Sequence, residues 1–196
     1  VSDEEKDYYN DCKKFNVSYI PSVLPNKERI IVIGDIHGDF NVAIKMLKAA
    51  NLIDDNENWI GGNTYVVQVG DQLDRCRPQG IYPCNHELGT DNDEASDIKI
   101  LKFYTEMNEI AMKKRGKVIS LLGNHELMNV IGDFSYVSPT SKEDIRYNLF
   151  KPQGSIALLL AKRPLIVKIK DLLFCHAKLN LKHLEILKKN NKNIFI

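Results

Sequence analysis

Residues 30–39 read Ile30-Ile31-Val32-Ile33-Gly34-Asp35-Ile36-His37-Gly38-Asp39. Residues 29–33 are a short β-branched run ended by glycine, the pattern of a strand buried on both faces. A helix is predicted next over 40–50, because Phe40, Ala43, Ile44 and Leu47 fall at i, i+3, i+4 and i+7. Working outward, the unit recurs. Residues 64–69 form a second apolar strand ended by Gly70. After a long polar insert, a helix is predicted over 96–115, with Ile100, Phe103, Met107, Ile110 and Ala111 as its apolar stripe and Gly116 as its stop. Residues 117–122 make a third strand, ended by Gly123. Strands alternating with helices predict an α/β fold on a mostly parallel sheet. Further on, 165–170 and 172–175 predict two strands turning tightly at Asp171, a hairpin in a second sheet. Residues 1–28 are polar, contain Pro21 and Pro25, and read as an N-terminal arm, leaving 29–196 as the domain.

The bulk properties narrow the function classes. A chain of 196 residues fits one domain. A formal net charge of +1 gives no case for nucleic acid or an anionic membrane as a partner. No apolar run approaches the roughly 20 residues of a membrane span. Residues 1–10 are acidic and polar and do not read as a signal peptide, so the expected location is cytoplasmic. Cys12, Cys76, Cys84 and Cys175 lack the spacing of a disulfide scaffold or zinc ribbon and are expected as free thiols. A Cys76–Cys84 bridge is the alternative.

Each of the first three strands ends in glycine followed by metal-capable side chains: Gly34-Asp35-Ile36-His37, Gly70-Asp71-Gln72-Leu73-Asp74-Arg75 and Gly123-Asn124-His125-Glu126. A fourth strand ends in Cys175-His176. The carboxyl ends of strands in an open α/β sheet share one edge, where ligands bind. Asp35, His37, Asp71, Asn124 and His176 are therefore expected to converge. A mixed nitrogen and oxygen set suits Mn, Fe or Zn. Two ions need a shared ligand, and Asp71 on the middle strand is the natural bridge. Asp35 and His37 would complete one site, Asn124 and His176 the other. Ions so paired clamp both oxygens of an in-line phosphoryl displacement and make hydroxide available at neutral pH. Arg75, with Asn124, is the candidate holder of phosphate oxygens. His125 is the candidate general acid, oriented by Asp74. Glu126 reads as structural. Asn85-His86-Glu87 repeats the Asn-His-Glu triplet without a preceding buried strand and is set aside.

The ordered segments GDIHGD, GDQLDR and GNHE resemble the signature of the phosphoprotein phosphatases within the calcineurin-like metallophosphoesterases. The resemblance spans about residues 29–180. It implies a sandwich of two mixed β-sheets flanked by helices, a dinuclear site at its rim, and the residue roles above. Cys76, where the family has glycine, and the polar insert 76–97 resemble the bacterial-type, Shewanella-like branch with protist and viral relatives. The implied reaction is hydrolysis of phosphomonoesters by a metal-bridging hydroxide, with phosphoserine or phosphothreonine proteins as substrates. The alternatives are a diadenosine tetraphosphate or other nucleotide hydrolase of the same fold, and an inactive metal-binding scaffold. The family completes its second metal site with another His and its phosphate clamp with another Arg, both well beyond the fourth strand. Here His183 is the one later His, and it reads as part of a polar–apolar helix. The resemblance therefore implies a domain truncated at its C-terminus.

Overall fold

The computed structural model describes residues 22–77, 81–84, 86, 93–138 and 143–189. The elements run β1 (Val23–Leu24), β2 (Ile30–Ile33), α1 (Phe40–Ala49), β3 (Tyr65–Gln68), α2 (Asp97–Lys113), β4 (Lys117–Ser120), α3 (Asn124–Val130), α4 (Glu143–Phe150), α5 (Ser155–Leu160), β5 (Ile166–Ile169), β6 (Leu172–Cys175) and α6 (Leu181–Lys189). Among the described residues they build two three-stranded sheets, ordered β2-β3-β4 and β1-β5-β6. The first is parallel throughout; the second is mixed, with β1 parallel to β5 and β5 antiparallel to β6. Val23 and Leu24 thus lie within the second sheet, from the segment read as an arm.

Alternation along the parallel strands separates two cores. Val66 and Val118 face α1 and α2, packing with Ala43, Leu47, Ile100 and Tyr104. Tyr65, Val67, Ile119 and Leu121 face the other way, onto Leu24, Val167 and Ile169 of the second sheet. The middle strand β3 is buried at every position and so shows no period of two; β2, read from its sequence as buried on both faces, is at the edge of the described sheet, with Val32 53% exposed. The register pairs Ile33 with Gln68 and Gln68 with Ser120. All three parallel strands therefore end level, and the three glycine-led loops leave from one edge.

Two helix details differ from the sequence reading. The buried stripe of α2 runs through Leu101 and Tyr104, whereas Ile110 is 41% exposed and Phe103 only half-buried. The helix packs on two neighbours: Ile100 and Tyr104 join the core beneath the sheet, and Leu101 joins Phe150, Ile156 and Leu160. Its stop is also made differently. Arg115, not glycine, takes the left-handed backbone at φ 62°. Gly116 is required instead by close approach, since a Cβ there would come within 2.6 Å of the Gly62 carbonyl oxygen. The β5–β6 hairpin forms as expected, with Lys170 and Asp171 as its two loop residues. β6 ends the second sheet among the described residues, with Leu172 and Leu173 exposed. No described helix is long and apolar enough to cross a membrane.

The cysteines correct an expectation. Cys76 and Cys84 are disulfide-bonded, with a Cα–Cα distance of 5.6 Å, because the insert doubles back on itself within eight residues. Both are buried. The ring of His86 packs against Tyr82. Cys175 is a free, half-buried thiol, and Cys12 lies outside the described residues. A loop this short still restricts the unfolded chain, by about 2 kcal/mol. Cys84→Ser is therefore expected to lower the unfolding free energy by about that amount in denaturant titration, with a matching loss on adding a dithiol reductant to the parent protein. A parent protein indifferent to the reductant would show that the bond is absent in solution.

Candidate active site

The loops after β2, β3 and β4 are tied together by backbone before any side chain is considered. The amides of Ile36 and His37 both donate to the Asp71 carbonyl, at 2.9 and 3.0 Å, and Gly38 N–H donates to the Gln72 carbonyl. Glu126 lies under the junction, fully buried. Its Oε2 accepts from the amides of Asp71 (2.9 Å) and Gly123 (2.7 Å), and its Oε1 from Gln72 (2.8 Å). Below it, Gln72 Nε2 donates to Gln68 Oε1 and Ser120 Oγ, and Gln68 Nε2 donates to the carbonyls of Gly34 and Gly70. Arg163 donates to Gln72 Oε1 and the Leu101 carbonyl. Full burial pushes its guanidinium down to about 10, against the pull of the Glu126 charge.

On this floor the structure brings Asp35, His37, Asp71, Asn124 and His176 together. His37 Nδ1 donates to the Leu73 carbonyl at 3.1 Å, which sets Nε2 3.7 Å from Asp35 and 3.9 Å from Asp71. His176 repeats the device: Nδ1 donates to the Val69 carbonyl at 3.0 Å. Its Nε2 faces Asn124 Oδ1 at 2.9 Å and Asp71 Oδ2 at 3.2 Å. Carbonyls that fix a ring tautomer in this way are the usual partners of metal-binding histidines. With Nδ1 so engaged, each ring turns Nε2, the nitrogen that could ligate a cation, toward the same carboxylates. The ligand atoms of Asp35, Asp71 and His176 lie within 4.8 Å of one another, as do those of His37, Asp71 and His125, and Asp71 belongs to both groups. Each group is a candidate cation site; the structure groups Asp35 with His176 and His37 with His125, where the sequence grouping set Asp35 with His37 and Asn124 with His176.

His125 and Asp74 form a separate pair. His125 Nδ1 meets Asp74 Oδ2 at 2.8 Å, with both residues buried. Burial works against the imidazolium, but the Asp74 hydrogen bond and the charges of Asp71 and Asp74 outweigh it and hold the ring above the usual histidine range. The ring sits edge-on between His37 and Tyr136. Arg75 Nη1 is ion-paired with Asp39, which also caps α1 by accepting from the Val42 amide. Burial opposes ionisation of Asp39, yet Arg75 and the Val42 amide pull it below the usual carboxylate range. His37, Asp71 and Asp74 all have positive φ, at 48°, 53° and 65°. Left-handed backbone at non-glycine residues is uncommon and gathers at functional sites.

The family model described as Calcineurin-like phosphoesterase matches residues 28–195. The chain belongs to the calcineurin-like phosphoesterase family. It is 36% identical to Shewanella-like protein phosphatase 1 of Plasmodium berghei over 182 residues, covering 87% of this chain and 45% of that protein. It is 38% identical to Shewanella-like protein phosphatase 2 of Arabidopsis thaliana over 119 residues, covering 61% and 26%. Among solved structures, a cold-active protein-tyrosine phosphatase of a psychrophilic Shewanella species superposes with a TM-score of 0.72 at 23% identity, covering 90% of this chain and 49% of that one. The chain therefore spans about half the length of these relatives or less.

The phosphoesterase motifs account for the loops, but not for what lies behind them. Asn129 and Arg146 touch Asp74, and Arg146 also touches Asp97. None of these three stands beside a motif, although Asn129 follows His125 by one helical turn, a spacing that puts them on one face. Of the decoy triplet, Asn85 and Glu87 lie outside the described residues. The α6 backbone covers His183, whose side chain is likewise outside them. The Glu126 clamp yields a direct prediction. Glu126→Gln keeps one acceptor oxygen and turns an amide donor toward backbone donors, so it is expected to cost about 3 kcal/mol or more. Urea unfolding of the variant beside the parent measures this; a difference under half a kilocalorie would remove Glu126 from its structural role.

Proposed function

We propose that this protein hydrolyses phosphomonoesters with the aid of two metal ions, and that its substrates are phosphoserine and phosphothreonine residues of proteins. The observation that carries the reading is the convergence of Asp35, His37, Asp71 and His176 in two groups that share Asp71, with Asn124 against His176 and the His125–Asp74 pair alongside. Asp71 would hold both ions, Asp35 and His37 one, Asn124 and His176 the other. Bound there, such ions supply Lewis acidity to phosphoryl oxygens and acidify water.

The side chains divide the remaining work. Arg75, steadied by Asp39, offers the rest of its planar fork to phosphate oxygens. Asn124 has its amide at the same rim. His125, whose hold on its proton Asp74 strengthens, would give its Nε2 proton to the leaving oxygen as the P–O bond breaks. That acid is what brings serine and threonine esters within reach. An alkoxide is a poor leaving group and needs protonation; a phenolate needs it far less. The names of the relatives allow either class, since the Plasmodium and Arabidopsis proteins are called protein phosphatases and the Shewanella structure a tyrosine phosphatase.

Turnover by the full-length protein on phosphoserine, phosphothreonine and phosphotyrosine peptides and on diadenosine tetraphosphate is the deciding assay. Faster turnover of the first two is expected. Cleavage confined to the dinucleotide would replace this reading with nucleotide hydrolysis, and no turnover of any phosphoester under added Mn would favour a scaffold. His125→Asn should reduce turnover on phosphoserine peptide by about 100-fold or more, and far less on an activated aryl phosphate.

Metal content tests the site separately. Elemental analysis of the purified protein is expected to find close to two transition-metal equivalents. Asp71→Asn should lose both, and Asn124→Ala mainly one. Full metal content in Asp71→Asn would exclude that residue as the bridge.

A further inference from the structure

Behind the His125–Asp74 pair lies a second layer of buried charge. The Asp74 side chain is fully buried, and each polar side chain on it in the described residues is a donor. His125 Nδ1 lies at 2.8 Å, Asn129 Nδ2 at 2.9 and 3.0 Å from its two oxygens, and Arg146 Nη2 at 2.9 Å. Arg146 is itself only 4% exposed. Its Nε donates to Asn129 Oδ1 at 2.6 Å, so the same amide that holds Asp74 is held in turn by the guanidinium. Its Nη2 also reaches Asp97 Oδ2 at 2.8 Å. Asp97 Oδ2 takes the Asp74 backbone amide at 3.3 Å as well. Three helices thus each contribute one side chain: Asp97 from α2, Asn129 from α3 and Arg146 from α4.

Stability does not account for this arrangement. A buried ion pair is often no better for folding than apolar groups of the same volume, and the neighbouring core already supplies Leu101 and Phe150. What the arrangement does is specific to Asp74. Arg146 Nη2 is fixed on Asp74 Oδ1, which stops the carboxylate turning about its own bond. Asn129 bridges both carboxylate oxygens and so sets the carboxylate plane that His125 Nδ1 must meet.

We propose that Arg146, acting through Asn129, is a positioning residue for the general acid: it fixes the plane of the Asp74 carboxylate, so that His125 Nδ1 is met squarely and Nε2 is presented to the leaving oxygen. This rests on the phosphomonoesterase reading above. In the step it serves, the Nε2 proton passes to the leaving alkoxide oxygen. His125 is left neutral, its remaining proton on Nδ1 and donated to Asp74 in a hydrogen bond, and Asp74 takes up no proton. Asp97 completes the device by holding the guanidinium from the other side. Burial pushes Asp97 up to about 6, with Arg146 opposing and Asp74 reinforcing the rise, so near neutrality the two carboxylates share one guanidinium.

The test uses the full-length, metal-loaded protein with Arg146→Met, Arg146→Lys and Asn129→Leu. Each is assayed on a phosphoserine peptide and on p-nitrophenyl phosphate, and its metal content is measured. Arg146→Met is expected to lose about 100-fold in kcat on the peptide, the scale of a lost acid, but only a fewfold on the aryl ester, with metal content unchanged. Arg146→Lys should recover part of the loss because it restores charge without the fork. Asn129→Leu should repeat the selective loss, and it carries the test should Arg146→Met not fold. In proton NMR the slowly exchanging His125 Nδ1 proton should be seen in the parent and in Arg146→Lys and be lost in Arg146→Met. Equal losses on both substrates, or an unaltered Nδ1 signal in Arg146→Met, would overturn the role of Arg146 while leaving the proposed function intact. A parent protein inactive on both esters would instead overturn the proposed function.

Discussion

A single carboxylate, that of Glu126, holds the edge of the sheet in its working shape. It takes three backbone amides from two loops that are more than fifty residues apart in sequence. Backbone amides in a tight, buried turn cannot reach water, and each left unpaired would cost about 1–3 kcal/mol. An anion answers several donors at once better than a neutral side chain, because each bond is charge-assisted. The cost of burying that anion is offset by the amides and by Arg163 beyond Gln72. With the loops so joined, the backbones of Asp71 and His125 become parts of one rigid body. The His125 amide donates to Asp71 Oδ1 at 3.0 Å and closes the ring.

That rigidity is what lets three site residues keep left-handed backbone. Such conformations cost on the order of 1 kcal/mol or more for a side chain with a Cβ. Asp71 and Asp74 tolerate them best, since short polar side chains favour this region. His37 has no such excuse and is held by two bonds, its amide to Asp71 and its ring to Leu73. The sharp turns bring side chains two or three residues apart into one small volume. Extended strands could not do this, because their successive side chains point to opposite faces.

The parallel sheet was legible because its strands are short, β-branched and glycine-ended, and the loop residues because each follows such an end. The hairpin was legible from two apolar runs parted by Lys170-Asp171. Residues whose partners come from distant helices were not. Arg146 looks like any charged position on a short amphipathic helix, and its burial follows only from how α4 packs near α2 and α3. Asp97 looks like an acidic first-turn residue complementing a helix dipole, and nothing local says that an arginine will arrive on it. The cysteine pairing was hidden for the same reason. Spacing alone does not reveal that the insert doubles back, and Cα proximity decides whether a bond can form. The face of α2 was misjudged because one strip of apolar residues was assumed where two cores meet.

Asp71 shows how the layers combine. Its Oδ1 is spent on structure, accepting from His125 N–H and lying where a Cβ on Gly123 would overlap it. Any side chain at Gly123 would displace the carboxylate, so the glycine is required there by contact rather than by its own backbone angle. Gly70 is required by both, with φ 102° and Gly123 N only 2.5 Å from where its Cβ would stand. Because Oδ1 is fixed, Oδ2 can turn only toward the imidazoles, at 3.2 Å from His176 and 3.9 Å from both His37 and His125. One oxygen anchors and the other is presented. A carboxylate free to rotate would satisfy one neighbour at a time; this one faces all three, and that is the geometry a shared ligand needs.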